Sequence, residues 1–484
     1  MRKIAWGRVC LLILAGLVIL AGIFAGGYLL GQMLGNRAEG GAESVPESSA
    51  AVPESSSPEE EPSDPLPSGT LTGTVTDGTM STLSVEAEDG AAYTFDKTDA
   101  VVDGGETGIL IGGTVTVYYT GTLDPESEVQ PVTVEKITVD APPPDKEEEA
   151  RMRAEEILSG MTLEEKVGQM FIARCPEEGA AEKVSQYHPG GYILFARDFE
   201  NRTPETAAAA VQSYQDASDI PLLIGVDEEG GTVNRVSRYP AYRSSPFPSP
   251  QALYQSGGFE AVAADTAEKC ALLSSLGINV NFAPVADVST DPSDFINARA
   301  FGQDAAATAE YVAAAVEEMG AVGIGSVLKH FPGYGSNSDT HTGVAIDSRP
   351  YDQFLSQDFL PFQAGIDAGA GCVLVNHNVV ESMDGTLPAS LSPEVHRILR
   401  QELGFTGVTL TDDLAMDAVE AYAEDGSVAV LAVLAGNDMI VTTDFEEQIP
   451  LVIAAVESGA IDEAVIDQAV SRVLGWKYDL GLLG

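Results

Sequence analysis

The chain has 484 residues, 44% of them hydrophobic, with 25 Lys and Arg against 74 Asp and Glu, a formal charge of −49. That length exceeds one ordinary core and predicts a large domain with something smaller attached. The charge excludes nucleic acid as a partner, since holding a polyphosphate needs clustered Lys and Arg.

In chain order, no charged residue occurs from Val9 to Met33, long enough for a helix to cross a bilayer, and Arg2, Lys3 and Arg8 precede it. Residues 1–37 are therefore expected to be an uncleaved signal-anchor with the remaining chain outside the cytoplasm. Small residues at Ala21–Ala25 keep open a cleaved signal peptide and a secreted protein. Residues 38–68 are rich in Pro, Glu and Ser and have no aromatic side chain, the composition of a disordered, self-repelling linker. From 69 to 142, β-branched alternation between Asp-Gly and Gly-Gly turns predicts a small antiparallel β domain, barrel or sandwich. A spacer, a wall-binding module and a dimerisation unit are equally open as its role. Pro142, Pro143 and Pro144 then form a stiff linker.

From 145 to 484 strands and helices alternate. Thr162 followed by Glu165 makes a capping box at a helix start. Eight short apolar runs follow, at 170–173, 191–195, 222–226, 280–285, 325–328, 372–375, 408–410 and 439–441, separated by Ala-rich amphipathic stretches. Eight β/α units predict an α/β fold of the TIM (β/α)8 type, with its active site at the C-terminal ends of the strands. A doubly wound sheet would need a G-x-G-x-x-G turn after its first strand, and none is present. Cys10, Cys175, Cys270 and Cys372 are widely spaced, so neither a disulfide framework nor a zinc knuckle is expected.

Polar residues cluster just after these runs: Asp227, Glu228 and Glu229; Asp287, with Arg299 further along; Asn376 and His377; Asp412 and Asp413. The densest segment is Lys329 to Gly343, which holds Lys329, His330, Asp339 and His341 among glycines and a proline that argue against regular structure. Asp or Thr after a strand is often only a helix cap. Five loops together are harder to explain that way.

These motifs resemble glycoside hydrolase family 3, in its single-barrel β-N-acetylhexosaminidase branch. The resemblance runs from about Ala154 to Gly484 and rests on Leu158–Met170, Asp227–Gly231, Asn281–Val288, Arg299–Gly302, Lys329–Gly333 and Thr411–Met416. It implies a retaining mechanism in which Asp412 is the nucleophile and His341, oriented by Asp339, is the acid/base. It implies as well that Asp227, Arg299, Lys329 and His330 hold the terminal sugar. Asp413 competes locally with Asp412, and a support or cap role is the preferred reading for it. His377 reads equally as a pocket residue or a buried structural imidazole, and His188 and His396 as structural or exposed. The chain departs from the family pattern at Tyr334, where a histidine is usual, and at Ser336–Asn337, which replaces an Asp-Thr pair. The loop before the dyad is also one residue shorter.

The expected function is removal of terminal β-linked N-acetylglucosamine from muropeptides or related oligosaccharides. No cofactor, metal, nucleic acid or obligate protein partner is called for. A β-glucosidase, a phosphorolytic enzyme of the family and a silent sugar-binding barrel are the alternatives.

Overall fold

A computed structural model describes residues 69–484, apart from 105–107, 338–342, 421, 423–426 and 484. The expected anchor (1–37) and linker (38–68) lie outside the described residues, as do Asp339 and His341. Among the described residues no helix is long and apolar enough to cross a membrane.

Six strands come first: β1 (Gly69–Gly78), β2 (Thr82–Ala87), β3 (Ala92–Asp96), β4 (Val101–Asp103), β5 (Thr114–Thr120) and β6 (Thr133–Ala141). They form one sheet in the order β3-β2-β1-β5-β6-β4. Alternate residues, Val75, Leu83, Val85, Phe95, Val115, Val117 and Ile137, bury one face, as the period of two requires. The expectation of a wholly antiparallel sheet needs correction, because β4 runs parallel to β6. β3 and β4 lie at opposite edges, so a crossover rather than a hairpin joins them, and a crossover permits a parallel pair.

The eight expected strands of the second sheet are all present: β7 (Phe171–Arg174), β8 (Gly191–Leu194), β9 (Leu223–Val226), β10 (Val280–Asn281), β11 (Gly325–Phe331), β13 (Cys372–Val375), β15 (Val408–Thr411) and β16 (Ile440–Thr442). Each pairs parallel with its neighbour, and β16 returns to pair with β7. A parallel bridge between Leu410 and Met439 links β15 to β16, giving a nearly closed barrel. The runs read as continuous because parallel strands are buried on both faces. Alternation then divides them: Ile172, Ile193, Leu223, Phe282, Leu374, Leu410 and Val441 pack in one cluster, while Phe171, Tyr192, Ile224 and Ile440 pack in another that contains helical residues. Trp476, from the last helix (Glu463–Asp479), belongs to the first cluster. A Cβ on Gly371 or Gly325 would lie 2.1 or 2.8 Å from its indole. That ring therefore packs at the N-terminal ends of β11 and β13, away from the mouth.

Two strand boundaries differ from expectation. β10 stops at Asn281 because Pro284 has no N–H to give to a ladder, and pairing resumes only at the Val285–Lys329 bridge. β11 runs on to Phe331, so Lys329 and His330 sit on the strand and not in the glycine-rich loop after it. Their peptide bond is cis, as is Phe331–Pro332.

The residue after Trp476 is fully buried too. Lys477 Nζ donates to Gln169 Oε1 at 2.6 Å, and burial pushes its ammonium down to about 7 from an ordinary 10.5. Between those two values the unfolded chain binds the more protons, so this group makes stability rise with pH across that window. Denaturant unfolding at about pH 7 and about pH 9 should show a smaller gain in Lys477→Met than in wild type, and the variant should be the more stable by roughly 1–3 kcal/mol at neutral pH. Equal pH slopes would refute this.

Candidate active site

The C-terminal ends of the strands surround a cavity of about 260 Å³ lined by Asp227, Arg235, Arg299, Lys329, His330, Tyr334 and Asp412, with Ile193, Phe195, Val233, Phe282 and Leu374 as apolar walls. Every described residue expected to bind sugar is there, together with Asp412. Four carboxylates in this region, Asp227, Glu229, Asp287 and Asp412, face three cations, Arg235, Arg299 and Lys329. In a chain of charge −49 the gathering of three cations is local, and carboxylates that accept beside cations that donate suit a polyol.

Glu229 organises the cations. Its carboxylate accepts from Arg299 Nε (3.0 Å) and Nη2 (2.7 Å) and lies 2.6 Å from Lys329 Nζ. Burial alone would push this carboxyl up, but Arg299 and Lys329 outweigh it and hold the group well below the usual carboxylate range. Lys329 Nζ also reaches Asp227 Oδ1 at 2.7 Å, leaving one of its three donors for a ligand. Arg299 keeps its two Nη1 donors outside these contacts. Arg235 Nη2 lies 3.5 Å from the other oxygen of Asp227. Glu228 turns away from the cavity: its carboxylate accepts the backbone N–H groups of Arg235 and Val236, at 2.8 Å each, and so shapes the loop that presents Arg235.

His330 is engaged at both ring nitrogens. Arg299 Nη2 can only donate, so Nε2, 3.1 Å away, accepts, and the proton is on Nδ1, facing Asp287 Oδ2 at 2.7 Å. A sugar hydroxyl would share Nε2 with Arg299. Asp287 also accepts from the backbone N–H of His330 (3.0 Å) and of Tyr334 (2.7 Å), which seats Tyr334 edge-on to the imidazole.

Asp412 follows β15. Its N–H donates to Val375 O at 3.0 Å, and its Oδ1 accepts from Asp413 N at 2.9 Å. Asp413 does not line the cavity; its Oδ1 accepts from Ala415 N at 3.0 Å, and burial raises its carboxyl above the ordinary value, with Asp412 adding to the rise. His377 is fully buried, with Nδ1 against Ser390 Oγ (2.7 Å) and Nε2 against Asp413 O (3.1 Å). The carbonyl can only accept, so His377 carries its proton on Nε2 and braces the Asp412–Asp413 turn. His396 is buried against Ser392 O, and His188 caps a helix. Among the described residues no group of three His, Cys, Asp or Glu is arranged to hold a metal.

Glu229, Arg235 and Asp287 were not among the expected site residues. Glu229 stood in a recognised motif, and Asp287 follows a strand like the others. Arg235 lies eight positions beyond Asp227 with no strand before it, so only the fold reveals it.

Residues 162–475 match the family model described as the glycosyl hydrolase family 3 N terminal domain. The chain is 36% identical over 292 residues to a β-hexosaminidase of Stenotrophomonas maltophilia, covering 59% of this chain and 85% of that protein. It is 32% identical over 326 residues to the β-hexosaminidase LpqI of Mycobacterium tuberculosis, covering 65% and 82%. Among solved structures, a family 3 β-N-acetylglucosaminidase from Paenibacillus sp. superposes with a TM-score of 0.61 at 31% identity, covering 67% of this chain and 63% of that one.

Proposed function

Because the chain belongs to glycosyl hydrolase family 3, we propose that it is a retaining exo-β-N-acetylglucosaminidase. One observation carries this reading: Asp412 shares a single small cavity with Asp227, Arg299, Lys329 and His330. The similarity to β-hexosaminidases and to a β-N-acetylglucosaminidase supports the choice of sugar.

In this mechanism Asp227, Arg235, Arg299, Lys329 and His330 hold the hydroxyls of the terminal sugar. The Asp412 carboxylate attacks the anomeric carbon while His341 protonates the departing oxygen, giving a glycosyl ester on Asp412. His341, now neutral, removes a proton from water, which attacks the same carbon and frees Asp412. Asp339, two residues before His341, holds the imidazole and stabilises its charged form. The acid/base assignment gains support by elimination, since both nitrogens of His330 and of His377 are engaged and His188 and His396 do not line the cavity. We further propose that residues 1–37 anchor the enzyme to the cell membrane with the barrel outside, where wall-derived oligosaccharides or muropeptides would reach it.

Proton NMR of an aryl β-N-acetylglucosaminide digest should show the β-anomer of N-acetylglucosamine first. Initial release of the α-anomer would overturn the retaining mechanism, and faster cleavage of the glucoside would overturn the substrate. Release of N-acetylglucosamine 1-phosphate when inorganic phosphate is added would replace hydrolysis by phosphorolysis.

A further inference from the structure

Gly333 and Asn337 on one side, and Asp347 on the other, bracket the segment that contains Asp339 and His341. One guanidinium ties the two sides together. Arg349 donates from Nε to both oxygens of Asp347, at 3.0 and 2.9 Å, and from Nη2 to Asp347 Oδ2 at 2.7 Å. Its Nη1 reaches both oxygens of Asp358, at 3.0 and 2.9 Å, and its Nη2 also donates to Gly333 O at 3.0 Å. Asn337 Nδ2 closes the other contact across the neck, donating to Asp347 Oδ2 at 2.7 Å. Both carboxylates are 2% exposed or less, and Arg349 lies over the Phe354 ring at 4.3 Å.

The backbone is fitted closely around this group. Gly335 has φ +57, and a Cβ there would lie 2.5 Å from Arg349 Cζ; Gly333 has φ +122, and its Cβ would lie 2.3 Å from Asp358 Oδ1. The outgoing side is pinned as well, because β12 (Ile346–Asp347) pairs with β14 (Val379–Val380). The incoming side is fixed through Asp287, which binds both His330 and Tyr334 N. So the same scaffold that seats the sugar-side histidine continues into the clamp.

We propose that Arg349, held between Asp347 and Asp358, is a positioning residue: it fixes the neck of the 333–347 loop so that the proton donor carried on that loop meets the leaving oxygen. This rests on the reading of His341 as acid/base. A clamp that served stability alone would reduce activity equally on every substrate. A positioning residue matters most where the leaving group needs its proton.

The test compares kcat/KM on dinitrophenyl and phenyl β-N-acetylglucosaminides, since dinitrophenolate departs without protonation and phenolate does not. His341→Ala, the reference, should lose about a hundredfold more activity on the phenyl than on the dinitrophenyl substrate. Arg349→Lys keeps the charge but not the bidentate fork, and should show the same bias at roughly tenfold. Asn337→Ala leaves the ion cluster whole and should be biased the same way to a smaller degree. If His341→Ala is biased but Arg349→Lys and Asn337→Ala are not, the positioning role is overturned and the acid/base assignment stands. If His341→Ala itself loses equally on both substrates, the acid/base assignment falls. Should Arg349→Lys fail to fold, Asn337→Ala decides alone: a phenyl-biased loss supports the role, and an equal loss or none overturns it.

Discussion

Replacing Asp412 with Asn should lower kcat on an aryl β-N-acetylglucosaminide by roughly 10⁴-fold or more, while changing folding stability by less than about 1 kcal/mol. The two effects separate because Asn keeps the shape of the side chain and an oxygen that can accept a hydrogen bond. Its backbone N–H still donates to Val375 O, and an amide oxygen can accept from Asp413 N as the carboxylate does. What is lost is the negative charge at the cavity wall and with it the group proposed to form the glycosyl ester. Asp413→Asn should cost far less, about tenfold, since that carboxylate accepts from Ala415 N and lines no part of the cavity. A slow fluorinated N-acetylglucosaminyl substrate should label a peptide at Asp412. Labelling at Asp413, or full activity of Asp412→Asn, would overturn the assignment.

The barrel was legible because its signal is redundant. Eight apolar runs at regular intervals, each buried on both faces, admit few architectures, and each ends within a few residues of its expected position. Asp227, Arg299, Lys329, His330 and Asp412 were legible for the same reason: strand ends converge in a barrel, so a polar residue just after a run is already placed. What sequence could not give was pairing. Nothing in Lys329-His330 says that the lysine turns to Asp227 and Glu229 while the histidine turns to Asp287 and Arg299. Nor does the sequence tell a cavity-lining arginine such as Arg235 from the many arginines on loops. The boundary errors have physical causes as well. Pro284 breaks β10 by lacking a donor, and β11 outlasts the glycine-rich signal because the bridge to Val285 holds Lys329 in register. In the small sheet, alternation predicted strands but could not reveal that β4 crosses to the far edge.

The second large effect is expected at Glu229, which the sequence places in the strand-end cluster without giving it a role. Glu229→Gln should destabilise the protein by about 3–5 kcal/mol, because it leaves two buried cations facing a neutral amide. For a barrel of this size that corresponds to a fall in melting temperature of roughly 4–7 °C. Lys329 keeps Asp227 as a partner, so the larger share of the loss falls on Arg299, whose two strong bonds both end on Glu229. Sugar affinity should fall too, since Arg299 and Lys329 would no longer be held in place. The pH dependence supplies an independent check. The folded carboxyl titrates below its ordinary 4.5, so between the two values the unfolded chain binds the more protons, and stability rises with pH there. The stabilisation is therefore complete above the ordinary value and is lost as pH falls toward the lower, folded one. The gap in melting temperature between wild type and Glu229→Gln should be full at neutral pH and shrink as pH drops below about 4.5. A gap that stays constant into acid would mean that Glu229 acts through packing rather than charge, and a variant as stable as wild type at neutral pH would remove it from the ion network's foundation.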